Sequence, residues 1–314
     1  MRALRFHGPG DVRLEEVPRP DPGPGDVLVQ VEVALTDGTD AKAFRRGHPV
    51  LLGEPPSPFG HEFSGFDVET GQRVVAANSA PCGLCAACAR GEETLCENLF
   101  PLLNGAYAEY LLVPERIAER NLHAVPDRLP SHVAALLEPL ACCLHGAERA
   151  GIREGETVAI VGVGPIGLML CACVADAGAV PVAVGGRPER RELASAFGAQ
   201  PGDGEGADVV IEAAGTAEAW RRALALARPG GTVVLFGGIE EREVALDAYR
   251  LHYDELTVRG AFHHTPRTVR AALAFLASGS RPWELLVTHE VGLEGVAALL
   301  ADPPPDLLKA AVRP

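Results

Sequence analysis

Four cysteines, Cys82-x2-Cys85-x2-Cys88-x7-Cys96, fall within fifteen residues of this chain. Pro81 and Gly83 lie where the backbone must turn around a common centre. Four thiolates at this spacing suit tetrahedral zinc, and a closed set of sulfurs leaves no position for a substrate, so the spacing predicts a structural metal. A second stretch, Val158-Ala-Ile-Val-Gly162-Val-Gly164-Pro-Ile-Gly167, runs an apolar strand into a glycine turn and then into an apolar helix expected over 168–177. The first glycine allows the tight turn, the second lets the backbone approach a pyrophosphate, and the third lets helix and strand pack closely. Amides at the helix start then face the phosphates. Gly162, Gly164, Pro165, Ile166 and Gly167 are therefore expected to bind a dinucleotide. Glycine loops also serve as plain turns, but the strand before, the helix after and a second strand over 180–184 favour the nucleotide.

Composition narrows the setting for this chemistry. The 314 residues carry a net charge of −14 and no basic run, which leaves no electrostatic footprint for nucleic acid. The stretch Met1-Arg-Ala-Leu-Arg-Phe6 lacks the long apolar core of a signal peptide, and no apolar run is long enough to cross a bilayer. A cytoplasmic protein with no membrane partner is expected. In a reducing compartment the eight cysteines read as metal ligands or buried thiols rather than disulfides. Cys142, Cys143, Cys171 and Cys173, on apolar helices, read as core filler.

The elements that must hold these residues change character along the chain. Val27, Val29, Val31, Val33 and Leu35 alternate with Leu28, Gln30, Glu32 and Ala34, the pattern of a strand with one face buried. Short strands expected over 73–77 and 106–113, separated by Pro- and Gly-rich connections, make the first 140 residues a small, mainly β barrel. A helix over 131–146 should start at a Ser131 cap and be broken by Pro139. After the glycine loop, strands and helices take turns: 180–184, 189–197, 209–212, 220–227, 232–236 and 256–259. This alternation predicts a parallel sheet with helices on both faces. Between Ala199 and Ala207 there is room only for Gln-Pro-Gly-Asp-Gly-Glu-Gly, too little for the strand and helix that usually complete the first half of such a sheet. An edge strand should be missing, leaving five parallel strands. Past Phe262, a helix over 266–277, a strand over 285–287, a helix over 293–300 and a strand over 308–312 return to the first domain.

Taken in order, Gly60-His61-Glu62, the four-cysteine lobe, Glu138-Pro139-Leu140 and Gly162-x-Gly164-x-x-Gly167 resemble the zinc-dependent medium-chain alcohol and polyol dehydrogenases over essentially the whole chain, with a lean towards the sorbitol and glucose dehydrogenase branch. The resemblance implies an α/β protein. A GroES-like, mainly β catalytic domain spans 1–143 and 266–314 with its zinc lobe at 82–96, and a Rossmann dinucleotide-binding domain with a doubly wound parallel sheet spans 144–265. It implies a second, catalytic zinc held by Asp37, His61, Glu62 and Glu138. One departure stands out: where the family usually carries Cys-Gly-Thr-Asp, this chain reads Asp37-Gly38-Thr39-Asp40. Asp37 can offer a carboxylate oxygen in place of the thiolate, since zinc accepts both, and an oxygen and nitrogen set would be harder and more open to manganese or cobalt. The plainer reading is an aspartate left exposed by loss of the cysteine, with His61 and Glu62 as ordinary loop residues.

The resemblance further implies hydride transfer between a secondary alcohol and a nicotinamide, with Thr39, Lys42 and Glu62 as the catalytic side chains. Thr39 stands at the position of the family's relay hydroxyl, Lys42 at that of a frequent histidine, and Asp40 would orient His61. At the end of the second strand of the cofactor domain, where NAD enzymes usually carry an acid, the chain has Gly185, followed by Gly186 and Arg187. Without the acid nothing repels a 2′-phosphate, and Arg187 with Arg190 or Arg191 can bind one, so NADP is expected over NAD. The expected partners are a small alcohol, polyol or carbonyl substrate and a second copy of the chain in a homodimer or homotetramer. The alternatives are an NADP-dependent reductase of the zinc-free quinone reductase type and a non-catalytic nucleotide-binding relative.

Overall fold

In the computed structural model, which describes residues 1–48 and 52–314, the chain divides into two compact units. One comprises Met1–Pro139 and Thr265–Pro314, the other Leu140–His264. The first is organised around the strand Val27–Leu35, whose run of β-branched residues favours extended backbone. Glu62–Asp67 pairs antiparallel with it from Val29↔Asp67 to Leu35↔Glu62, and Lys309–Arg313 pairs antiparallel through Ala311↔Leu35. Leu35 is thus flanked by Glu62 and Ala311, a register that fixes everything built at this end of the sheet. Val287–Gly292, Arg73–Ala76, Leu122–Ala124 and Tyr110–Val113 complete the sheet. A small sheet of Asp11–Glu16, Arg2–Gly8 and Ser57–Pro58 accompanies it. Phe6, Val29, Val31, Phe59, Phe63, Tyr107 and Val113 form the core between them.

Four details differ from the periodicity. Val27–Leu35 is buried on both faces at Leu28 and Ala34 as well as at Val29, Val31 and Val33, and only Gln30 is exposed. The expected single helix over 131–146 is two helices, Ser131–Ala134 and Leu137–Ala150. Pro139 does not break the second: it lies in the first turn, where its missing N–H has no partner to lose. Pro130 precedes the first helix as its cap, and the Ser131 hydroxyl, rather than capping, donates to Glu32 Oε2 at 2.5 Å. The strand expected over 106–113 is only Tyr110–Val113. The strand expected over 285–287 is a 3-10 turn, Trp283–Leu286, followed by the strand Val287–Gly292.

The second unit carries a parallel sheet of five strands among the described residues, in the order Val180–Val184, Thr157–Val161, Ala207–Glu212, Ala227–Leu235, Thr257–Gly260. Its order reverses direction between Thr157–Val161 and Ala207–Glu212, the switch point at which such sheets bind ligands beyond their carboxyl ends. Among the described residues the edge strand is missing, as expected. In its place a single parallel bridge joins Gln200 to Val182, so the short glycine-rich connection keeps one residue of contact and no ladder. Val161, Val182, Val184, Val210, Val233, Leu224 and Leu226 pack the interior. No helix of the described residues is long and apolar enough to cross a membrane.

Candidate metal centres and cofactor loop

In the lobe, the four sulfurs of Cys82, Cys85, Cys88 and Cys96 lie within 4.8 Å of one another, and Cys85 Sγ is 3.9 Å from Cys96 Sγ. Sulfurs about 2.3 Å from a tetrahedral zinc would stand about 3.8 Å apart, so the preformed spacing matches. Backbone amides prepare the thiolates. Leu84 and Cys85 donate to Cys82 Sγ at 3.4 Å each, and Cys82 and Asn98 donate to Cys96 Sγ at 3.2 and 3.4 Å. The Leu84 amide, with Asn98 and Cys85, draws the Cys82 thiol down to about 6, whereas burial pushes Cys88 up to about 12. One thiol ready to ionise beside one that resists is what a cation at their centre would resolve.

The second cluster is assembled from distant parts of the first unit. Asp37 is the N-cap of the helix Gly38–Arg46 and forms a capping box with Asp40. Its Oδ1 accepts from the Asp40 amide at 2.8 Å, and the Asp37 amide donates to Asp40 Oδ2 at 3.1 Å. This leaves Asp37 Oδ2 facing His61 Nε2 at 3.9 Å, while His61 Nδ1 lies 3.3 Å from Asp40 Oδ1. Asp37, His61 and Glu62 each bring one ligand atom within 4.8 Å of the others. Glu138, buried in the first turn of Leu137–Ala150, lies outside that set but acts on His61 through its charge. Asp37 is therefore not simply exposed, although its capping role would be served equally well by a residue with no metal duty.

Lys309 is the participant that sequence reasoning missed. It is 1 % exposed, and its ammonium donates to both oxygens of Glu62 at 2.7 Å and to the Thr36 carbonyl at 3.3 Å. Burial alone would lower its pKa, but Glu62, Asp37 and Asp40 outweigh burial and raise it. Burial likewise pushes the Glu62 carboxyl up, against the pull of Lys309. Both carboxyl oxygens accept from one ammonium, the geometry of an ionised pair. Around His61, burial disfavours the imidazolium, but Asp40, Asp37 and Glu138 together hold its pKa well above the usual value. More carboxylates than cations are thus buried in one place, an imbalance that costs free energy unless a positive charge joins them. The available signal was a single lysine in the otherwise apolar run Leu307-Leu-Lys-Ala-Ala-Val312, since a charge in a buried strand needs a partner.

Of the other expected residues, Thr39 is half-buried and its hydroxyl hydrogen-bonds Asp37; burial pushes the Asp37 carboxyl up, but His61 and Lys309, with the Asp40 amide and the Thr39 hydroxyl, hold it low. Lys42 lies half-buried in the same helix, outside the ligand set. In the second unit, Gly164 caps the helix Pro165–Asp176, with Pro165 at its first position. Gly162 has φ +105, and a Cβ there would sit 2.8 Å from the Ala214 nitrogen. One on Gly167 would sit 1.9 Å from the Gly162 carbonyl oxygen. Gly164 faces open space instead, leaving an uncrowded approach for a phosphate beside Ile166. Glu212, which the sequence did not single out, accepts from the Ala214 and Gly215 amides at 2.7 and 2.6 Å and shapes the next loop. Gly185 and Gly186 turn with φ +81 and +70. Arg187, exposed, precedes the helix Pro188–Ala196, whose Arg190 is half-buried and has its pKa lowered by burial and by Arg187.

The alcohol dehydrogenase GroES-like domain family matches residues 23–127, and the zinc-binding dehydrogenase family matches residues 200–278. The chain is 34 % identical over 336 residues to an erythritol/L-threitol dehydrogenase of Mycolicibacterium smegmatis, covering 93 % of this chain and 91 % of that one. It is 29 % identical to a sorbitol dehydrogenase of Bacillus subtilis, covering 94 % and 91 %. Among solved structures, a protein assigned as a zinc-binding dehydrogenase from Sinorhizobium meliloti 1021, bound to NADP, superposes with a TM-score of 0.89 at 32 % identity, covering 100 % of this chain and 99 % of that one. The alcohol dehydrogenase of Thermus sp. ATN1 superposes with a TM-score of 0.87 at 31 % identity and full coverage of both chains.

Proposed function

The chain belongs to the zinc-binding alcohol dehydrogenase family and is an NAD(P)-dependent dehydrogenase; from that premise we propose that it oxidises a secondary hydroxyl of a polyol with NADP, using one metal among Asp37, His61 and a neighbouring glutamate and another among the four cysteines. The observation that carries the catalytic centre is the convergence of Asp37, His61 and Glu62, one ligand atom of each within 4.8 Å of the others, with the buried carboxyls of Asp40 and Glu138 acting on the same imidazole. Its donors are oxygen and imidazole nitrogen, a set that suits zinc and tolerates harder divalent ions. When bound, the metal supplies Lewis acidity to the substrate oxygen, and the nicotinamide supplies the hydride acceptor.

This chain's own residues do the rest. Asp40 orients His61 and takes up the imidazole face turned away from the centre. Thr39, bonded to Asp37, offers the hydroxyl through which the substrate proton leaves. Lys309 holds both oxygens of Glu62, so Glu62 reaches a metal only by giving up part of that pair, and we assign it a lesser share of the coordination than Asp37 and His61. In the second unit, Gly185 in place of an acid and the pair Arg187 and Arg190 support NADP, as does the NADP bound by the related Sinorhizobium protein. The polyol assignment is supported by the erythritol/L-threitol and sorbitol dehydrogenase relatives. Thr257–Gly260, mostly exposed at the sheet edge, is the element we assign to self-association.

The test is a substrate screen that follows nicotinamide absorbance on protein of measured metal content. Turnover of four- to six-carbon polyols, faster with NADP than with NAD, in protein holding two zinc ions per chain is the expected result. Turnover insensitive to a strong chelator, confined to quinones or absent from every alcohol, would overturn it.

A further inference from the structure

Tyr107 is fully buried, yet its ring lies within the apolar core and its hydroxyl does not. Phe59 meets the ring edge-on at a centroid distance of 5.6 Å. The backbone on either side is pinned, with the Tyr107 amide donating to Phe59 at 3.0 Å and the Leu4 amide donating to the Tyr107 carbonyl at 2.8 Å. Gly60, with φ +88, passes so close that a Cβ there would sit 2.7 Å from the ring. The residue immediately before His61 is therefore shaped around this tyrosine. Ring and backbone leave the phenol one direction in which to point.

That direction is the carboxylate behind the histidine. The single phenolic proton faces two acceptors, the Leu35 carbonyl at 3.1 Å and Asp40 Oδ2, and the anion is the stronger of the two. Asp40 Oδ2 also accepts from the Asp37 amide at 3.1 Å, while Asp40 Oδ1 lies 3.3 Å from His61 Nδ1. The hydroxyl thus ends a chain that runs through Asp40 to His61, and on to Asp37 by way of the capping box. Without the phenol, Asp40 Oδ2 would keep only the Asp37 amide, and the carboxylate would be freer to turn about its last bond and take the imidazole with it. Groups that orient a ligand in this way commonly alter metal affinity by about 10- to 100-fold.

We propose that Tyr107 is a positioning residue for the metal centre: its phenol locks the Asp40 carboxylate that aims His61 at the metal. The proposal rests on the reading that Asp37 and His61 bind a metal. A Phe at 107 would fill the same core space, so a purely structural role predicts a small loss of stability and no change in metal binding.

The experiment is titration of metal-depleted wild type, Tyr107→Phe, Asp40→Asn and the double variant with Co²⁺, whose visible spectrum distinguishes four-sulfur from oxygen and nitrogen coordination. Wild type should take up two equivalents. Tyr107→Phe should weaken the oxygen and nitrogen site by about 10-fold and shift its spectrum, leave the four-sulfur site unchanged, and have no added effect in the Asp40→Asn background. Equal affinity and spectrum in wild type and Tyr107→Phe would overturn the proposal while leaving the centre intact. Wild type that binds Co²⁺ only at the four sulfurs would overturn the metal reading itself, and the proposal with it. Should Tyr107→Phe not fold, 3-fluorotyrosine incorporated into the native sequence gives the same answer. The buried ¹⁹F resonance should move when the second equivalent binds, and a resonance indifferent to it would overturn the proposal.

Discussion

The two candidate metal centres of the first unit are built by opposite means. The lobe takes all its candidate ligands from fifteen consecutive residues, and its own amides hydrogen-bond the sulfurs of Cys82 and Cys96. The other centre draws Asp37 from a helix cap, His61 from just before a strand, Glu62 from that strand's first residue, and Lys309 from the strand Lys309–Arg313. What brings them together is the register that flanks Leu35 with Glu62 and Ala311. A locally built centre can fail without disturbing the sheet. A centre assembled by register shares its stability with the core, so a change in one of its charges should be felt by the whole unit.

Lys309→Met is the strongest challenge to that contrast. It removes the ammonium that faces Glu62 with both residues essentially unexposed, leaving a buried carboxylate without its partner, a loss of about 3–5 kcal/mol. Glu62→Gln combined with Lys309→Met should recover most of it. Denaturant unfolding of the three variants checks this. If Lys309→Met unfolds like the wild type, the pair does not couple the centre to the sheet. Cys96→Ser should do less to global stability, about 1–3 kcal/mol, because the lobe is local. Metal analysis should show one equivalent lost and the second centre still able to load. Loss of both metals would mean that the two regions are not independent.

Asp37 separates two roles at a smaller scale. Asp37→Ala loses the helix cap, worth about 1 kcal/mol, whereas Asp37→Asn keeps a good capping side chain. Both remove the charge that faces His61. Both variants should therefore lose the second metal and nearly all turnover, while only Asp37→Ala melts earlier in the presence of chelator. Asp37→Asn with full metal content and full activity would reduce the residue to its cap.

The same contrast explains what could be read from the sequence. Cysteine spacing is a one-dimensional signal, and so is a strand running into a glycine turn, because the residues that interact are neighbours in the chain. The missing edge strand was legible for a similar reason: seven residues between Ala199 and Ala207 cannot hold a strand and a helix, and only the bridge from Gln200 to Val182 remains. Register is not local. Nothing near Lys309 in sequence announces Glu62, and nothing near Tyr107 announces Asp40, because each pair meets only after the sheet has formed. Pro139 misled for a related reason: whether a proline breaks a helix depends on where the helix begins, and the break between the two helices lies before it.

A surface ion pair in the second unit sets the lower end of the scale. Asp208 accepts from Arg228 Nε at 2.7 Å and from the Thr157 amide at 2.9 Å, and these partners, the guanidinium first, lower its pKa. Because the folded value lies below the unfolded one, the associated stability is fully present above about pH 4 and is lost as pH falls through the folded pKa. Arg228 is nearly half exposed, so solvent screening holds the ion-pair contribution to about 0.5 kcal/mol. Unfolding measured from pH 6 down to pH 2 should therefore fall slightly less steeply in Asp208→Asn than in the wild type. The difference should shrink further in high salt, which screens this pair far more than the buried one between Lys309 and Glu62. If Asp208→Asn costs as much as Lys309→Met, burial is not what gives the register-built centre its hold on the fold.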